Sequence, residues 1–347
     1  MTAVIAAPQP LPERRLGRSG TRGLGAFRRS RYLAVGSVIL AVFALAAIFG
    51  PLFVHDANSF SGDKLAHPSL SHWLGTTQTG QDVFAQLVQS TRGTLLVGLG
   101  AGLIATIVSV AVGVGGALTG GFTDDALNLL SNVALVIPQL PLVIIVAAFA
   151  RGSGTFSEIL VIALTSWAAS ARILRGQTLS LRERDYVLAA RAGGEPGWKV
   201  ALFDVIPNEL PIIGSQFIYA TIAAVLTVST LAFLGLADPS QLSWGNMLYF
   251  AQNDEALDSG AWWWFAPPGL CIALLGVGLA MVNFGLDEIF NPRLRVYREP
   301  RGRRKGRGSA GSPDSTEDSD GTESVDSTDS AGGSDSIDSA EREGVQP

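Results

Sequence analysis

Three histidines, His55, His67 and His72, fall in one stretch ahead of the second long apolar run, where imidazoles would serve as metal ligands. Their spacings fit no compact ligand motif, so they are read as solvated loop histidines and no metal site is expected. The single cysteine, Cys271, lies inside the last apolar run and has no intrachain partner for a disulfide. No Gly-x-x-x-x-Gly-Lys-Ser/Thr phosphate loop, Gly-x-Ser-x-Gly elbow or His-Glu-x-x-His pair occurs. Nucleotide, acyl-transfer and metal-assisted chemistry are therefore not expected of this chain, which should bind no cofactor of its own.

The richest cluster of charged and small residues runs from Ser180 to Pro196 and has the grammar of a short helix. Ser180 could cap its first turn with Glu183 reaching back, and Gly193 with Gly194 offers a left-handed end before Pro196. About three turns should result. Tyr186, Ala189, Ala190 and Gly193 would then share one face, an aromatic anchor among small side chains, with Arg184, Leu188 and Arg191 on another. Such a face suits close docking against a partner.

The segments that must position this helix are apolar. Residues 33–54, 94–122, 126–150, 210–237 and 262–286 contain no Lys, Arg, Asp or Glu, and 156–171 carries only Glu158. Each approaches the twenty or so residues that cross a roughly 30 Å hydrocarbon core as a helix. A basic stretch precedes the first run as in a secretory leader, but that run is too long and no small-x-small site closes it. Pro138, Gln139 and Pro141 sit within the third run, where the prolines remove backbone donors and should kink the helix, making these residues candidates for lining a solute path. Gly98 with Gly102, and Gly116 with Gly120, have the spacing that lets helices approach closely. Val83, Phe84, Leu87 and Val88 form an apolar stripe expected to be an interfacial helix. Trp244 and Trp262–Trp264 are expected to form an aromatic belt at the outer interface.

Charge sets the topology. Seven arginines between Arg14 and Arg31 precede the first run, and Arg293 to Arg307 is again basic, placing both ends in the cytoplasm and calling for an even number of crossings. Arg172, Arg175, Arg182, Arg184, Arg191 and Lys199 put the 172–208 loop inside as well. Residues 238–261 carry only acidic charges and belong outside. Basic clusters beside spans are explained by orientation and anionic lipid, so no nucleic-acid partner is expected. From Gly308 the chain is rich in Ser, Asp, Gly and Glu and cannot bury enough apolar surface to fold. That acidic tail accounts for a net charge of -5 on an otherwise basic chain.

Several motifs resemble the permeases of binding-protein-dependent ABC importers, whose cytoplasmic EAA loop is matched at Ala189, Ala190, Gly194 and Pro207. The best resemblance is to the dipeptide, oligopeptide and nickel subfamily, in its C-type subunit. It is carried by Trp167 with 171–177, by 184–191, by Ile206-Pro207-Asn208, by 233–236, 243–248 and 291–295, and outside by 74–76 and 80–83. Leu188, Asp204, Thr77 and Gln81 depart from that pattern. The resemblance implies that Glu183, Arg184, Asp185, Tyr186, Ala189, Ala190, Arg191, Gly194 and Pro207 couple the chain to a cytoplasmic ATPase, which carries the ATP and Mg. It also implies a second homologous permease subunit, an extracytoplasmic solute-binding protein and a peptide-like solute.

The expected fold is an all-α membrane protein of six transmembrane helices, the type I importer permease fold, multi-pass in the plasma membrane. Residues 1–31 form a basic cytoplasmic segment, 32–300 the permease domain with outer loop 55–92 and coupling loop 172–208, and 301–347 a disordered tail. Two other readings remain: a secondary transporter, which should carry intramembrane carboxylates and internal repeats, and a membrane scaffold acting through its tail.

Overall fold

The computed structural model describes residues 30–60, 63–149 and 154–290. The basic N-terminal segment, the 291–295 motif and the acidic tail lie outside the described residues, as does the whole of a second compact unit, 299–347. The described chain is helical throughout its regular structure, apart from two isolated bridges, Phe60 with Gln81 and Thr76 with Asp82, that fasten the first loop.

Ser30 caps α1, Arg31–Phe53, by accepting from the Leu33 N–H. Asp82 caps α2, Val83–Thr119, in the same way through Ala85 at 2.9 Å. The helix is thus already formed at Val83, so the apolar stripe at 83–88 is its first turns and not a separate interfacial helix. At 1.5 Å per residue its 37 residues reach about 55 Å. Glycines at positive φ, Gly120 and Gly121, end α2 and turn the chain directly into α3, Gly121–Val136. After Ile137 and Pro138 comes α4, Gln139–Phe149, at 89° to α3. The expected kink is therefore a full break: Pro138 has no N–H to return to the preceding turn.

The next long helix, α5, is Thr155–Arg182, continuing well past the apolar run. Two short helices follow, α6, Asp185–Ala192, and α7, Gly197–Val200. A π-helical turn, Ala201–Val205, leads into α8, Ile206–Phe233. The chain ends its described part with α9, Trp244–Asn253, and α10, Trp262–Phe290. Among the described residues five helices are long and apolar enough to cross a membrane, or six when the bent α3 and α4 pair counts as one crossing.

Packing centres on α2, which lies against α5 and α8, while α1 lies against α10. Small residues set these distances. A Cβ on Gly98 or Gly102 would meet Val225 or Thr221 of α8, as their spacing suggests. On Gly113 it would collide with the Ala171 carbonyl of α5. In the other expected pair, Gly116 likewise lets α2 approach Asp124 and Leu127 of α3, whereas Gly120 ends its helix.

The aromatic belt is also corrected. Trp244, Trp263 and Trp264 are buried, and only Trp262 of the group is exposed. Trp244 donates its indole N–H to the Leu87 carbonyl and meets Phe43 edge-on. These rings fill the interior between α1, α2, α9 and α10, where Trp244 and Trp263 find backbone acceptors for their indole N–H groups. The loop histidines are not simply solvated either: His72 Nδ1 lies 2.8 Å from Asp82 Oδ2, and the His67 ring meets that of Trp263 at a tilt of 55°, centroids 4.5 Å apart. No group of three or more His, Cys, Asp or Glu fit to hold a metal ion occurs among the described residues.

Candidate functional site

The Ser180-to-Pro196 segment does not fold as its residue order suggested. Ser180 lies inside α5, which runs to Arg182, so no capping box forms with Glu183. Arg184 occupies the cap position of α6 without a side-chain bond, and Asp185 supplies the favourable negative charge in its first turn. Eight residues make little more than two turns, not three. The end of α6 does follow expectation. Gly194 adopts φ +81°, its N–H bonds to the Arg191 carbonyl, and Glu195 N–H reaches back to Ala190. That pair of bonds is a Schellman closure, and it needs a residue comfortable in the left-handed region.

The face that α6 buries is not the one led by Tyr186. Val187 is fully buried and Ala190 packs beside it, in a cluster with Val114 of α2, Leu174 of α5, and Val200 and Val205 just before α8. Tyr186 and Leu188 are 42% and 51% exposed, and Glu183, Arg184, Asp185, Ala189 and Gly194 are exposed too. Ala190 and Arg191 are half-buried. A two-turn helix thus presents an aromatic ring, a leucine and small side chains outward, on a stalk anchored by valine. Trp198 of α7, 67% exposed, extends this apolar surface.

Polar bonds tie the stalk to the spans. Arg191 Nη2 donates to the Leu118 carbonyl at 3.4 Å, and Arg182 Nη1 donates to the Ala117 carbonyl at 2.9 Å. Two guanidinium groups therefore cover the carbonyl-rich, negative end of α2. Nearby, Thr178 Oγ1 donates to the buried Glu209 carboxylate at 2.8 Å, joining α5 to α8. Arg175 holds Asp124 through both oxygens.

Pro207 is exposed in the first turn of α8, separated from α6 by α7 and the π-helical turn. Pro138, Gln139 and Pro141 are grouped elsewhere, at the break between α3 and α4. All three are exposed, and Gln139 Nε2 donates to Ser166 Oγ of α5 at 2.8 Å. Sequence reasoning overlooked Val187, Asp124 and Glu209. Val187 was legible as a residue three positions before Ala190, whereas nothing in the order of residues links Asp124 to Arg175.

Residues 105–296 match the family described as "Binding-protein-dependent transport system inner membrane component". A putative peptide permease protein of Brucella suis is 32% identical over 284 residues, covering 79% of this chain and 91% of its own. The oligopeptide transport system permease protein OppC of Bacillus subtilis is 30% identical over 275 residues, 78% of this chain and 88% of its own. A probable D,D-dipeptide transport system permease protein of Escherichia coli, DdpC, is 30% identical over 285 residues, 81% and 94% of the respective chains.

Proposed function

Given that the chain belongs to the binding-protein-dependent transport family of inner-membrane components, we propose that α6 is the point at which a cytoplasmic ATPase drives it. The chain is a permease subunit of an ABC importer, a multi-pass membrane protein that transports and does not catalyse. Its solute is a di- or oligopeptide or a similar small molecule, carried along a path shared with a second permease chain. Pro138, Gln139 and Pro141 line that path, where the broken helix leaves backbone groups that suit water or solute. Both termini and α6 face the cytoplasm, and an extracytoplasmic binding protein delivers the solute.

One observation carries this reading. α6 exposes Tyr186, Leu188 and Ala189 while Val187 and Arg191 bind it to α2 and α5, whose own ends Arg182 ties together. A push on its outer face is therefore passed to these two long helices as a rigid displacement, with nucleotide on one side and loaded binding protein on the other biasing two arrangements. The Leu188 departure from the family's acidic residue removes an ion pair of only about 0–1 kcal/mol when exposed.

Replacing Cys271 by alanine and Tyr186 by cysteine gives a chain with one thiol. An impermeant maleimide should label it only after the cells are opened, and a short crosslinker should join it to an ATPase. Gly194→Trp should still insert, yet separate ATP hydrolysis from uptake. Labelling from outside intact cells, or normal coupled uptake by Gly194→Trp, would overturn the assignment.

A further inference from the structure

A cavity of about 460 Å³ lies between the start of α2, the loop before α9, α9 itself and the first turn of α10. That volume is in the roughly 300–1,000 Å³ range of small-ligand pockets. From Ser90 on its wall to Leu118, where α6 attaches, α2 covers about 40 Å, more than a hydrocarbon core of roughly 30 Å. The cavity therefore belongs to the opposite side of the membrane from α6.

Its chemistry is amide-rich and weakly anionic. No Lys, Arg or His lines it. Ser90 and Trp264 also line it, but Ser90 Oγ and Trp264 Nε1, which have no partner in the protein, are themselves closed off from the open space. Gln86 Nε2 donates to Gln81 Oε1 at 2.7 Å, which leaves Gln81 with its donor end and Gln86 with its acceptor end for a ligand. Asp254 follows the last residue of α9, where the helix end is itself negative, and has no cationic partner among the described residues.

Donors for a carbonyl, an acceptor for an N–H and a lone carboxylate form one set. We propose that this cavity binds the amino-terminal end of a short peptide, with its ammonium against Asp254 and its first peptide groups against Gln81 and Gln86. Phe250 supplies apolar wall for a side chain. The proposal rests on the permease reading only for the side from which the peptide arrives. Binding by a site this open is a holding step before the path, not the path itself.

The test uses the full chain paired with its second permease subunit in nanodiscs, without ATPase or nucleotide, so that it is independent of transport. Tri-alanine and N-acetyl-tri-alanine are titrated and followed by saturation-transfer NMR. Tri-alanine should bind saturably and the acetylated peptide about tenfold more weakly, the loss of one charge-assisted bond. Asp254→Asn should weaken tri-alanine by a similar factor and leave the acetylated peptide unchanged. Asp254→Glu should restore most of the difference. Equal affinity for the two peptides, indifference to Asp254→Asn in a protein with unchanged helical circular dichroism, or no binding at all would overturn the proposal. ATP-driven uptake by the assembled importer reports separately on the permease assignment.

Discussion

Arg175 of α5 grips Asp124 of α3 through both carboxylate oxygens, Nε to Oδ1 at 2.7 Å and Nη2 to Oδ2 at 2.9 Å. Asp124 also sits in the first turn of its helix, where negative charge is favoured. The pair fixes the chain where it emerges from the tight glycine turn after α2. Planar, two-point contact of this kind is available to arginine and not to lysine.

Asp124→Ala should destabilise the protein by about 2–3 kcal/mol, because it strands a partly buried guanidinium. Arg175→Met combined with Asp124→Leu should recover most of that loss. Thermal unfolding in detergent measures both, and a single variant within about 0.5 kcal/mol of wild type would remove the pair from the list of structural ties.

Val187 and Tyr186 are neighbours with opposite roles. Val187→Ala removes two buried methyl groups and should cost about 1–2 kcal/mol, read as faster hydrogen exchange across α6. Tyr186→Ala should leave stability and exchange unchanged and weaken association with the ATPase, measured by co-purification. Reversed outcomes would mean that the helix sits with its other face inward.

Gly113→Val should fail to assemble a stable bundle, since a Cβ there already collides with the Ala171 carbonyl and backbone cannot yield cheaply. The expected loss is at least about 1–3 kcal/mol from overpacking. Gly115→Ala is the control: its position opens on free space, and the variant should match wild type. Detergent-resistant yield on size exclusion compares them.

The loop before α9 should be acid-sensitive. Hydrogen bonds from the Ser240 hydroxyl and backbone N–H hold the Asp238 carboxyl below its ordinary value. A lowered folded-state value means that the stabilisation is present above the unfolded pKa and is lost as pH falls through the folded one. Ser240→Ala should move that midpoint upward. Carbon NMR of the Asp238 carboxyl, followed from neutral to acid pH, reads the shift directly.

The membrane helices were legible because hydrocarbon leaves so few choices: a charge-free run of adequate length has to be a helix. Their ends were less so. Asp82 starts α2 well before its charge-free run, since Gln86, Gln89 and Arg92 lie along the helix without interrupting it. α6 was displaced for a related reason: Ser180 reads as a cap from its neighbours alone, but α5 is held past it by Thr178 on Glu209 and Arg182 on the α2 carbonyls. Trp244, Trp263 and Trp264 were misplaced because composition cannot tell an indole at a lipid interface from one enclosed by helices. The Arg175 and Asp124 pair joins residues 51 apart in sequence, and only the fold brings them together.

The right-angle break at Pro138 has a biological corollary. Hydrocarbon tolerates exposed peptide groups only beside protein or water, so if the chain pairs with a second permease as proposed, a copy without that mate is a defective object in the eyes of the cell's quality control. Its abundance should therefore follow that of the mate, and deleting the mate's gene should send this chain to membrane proteolysis.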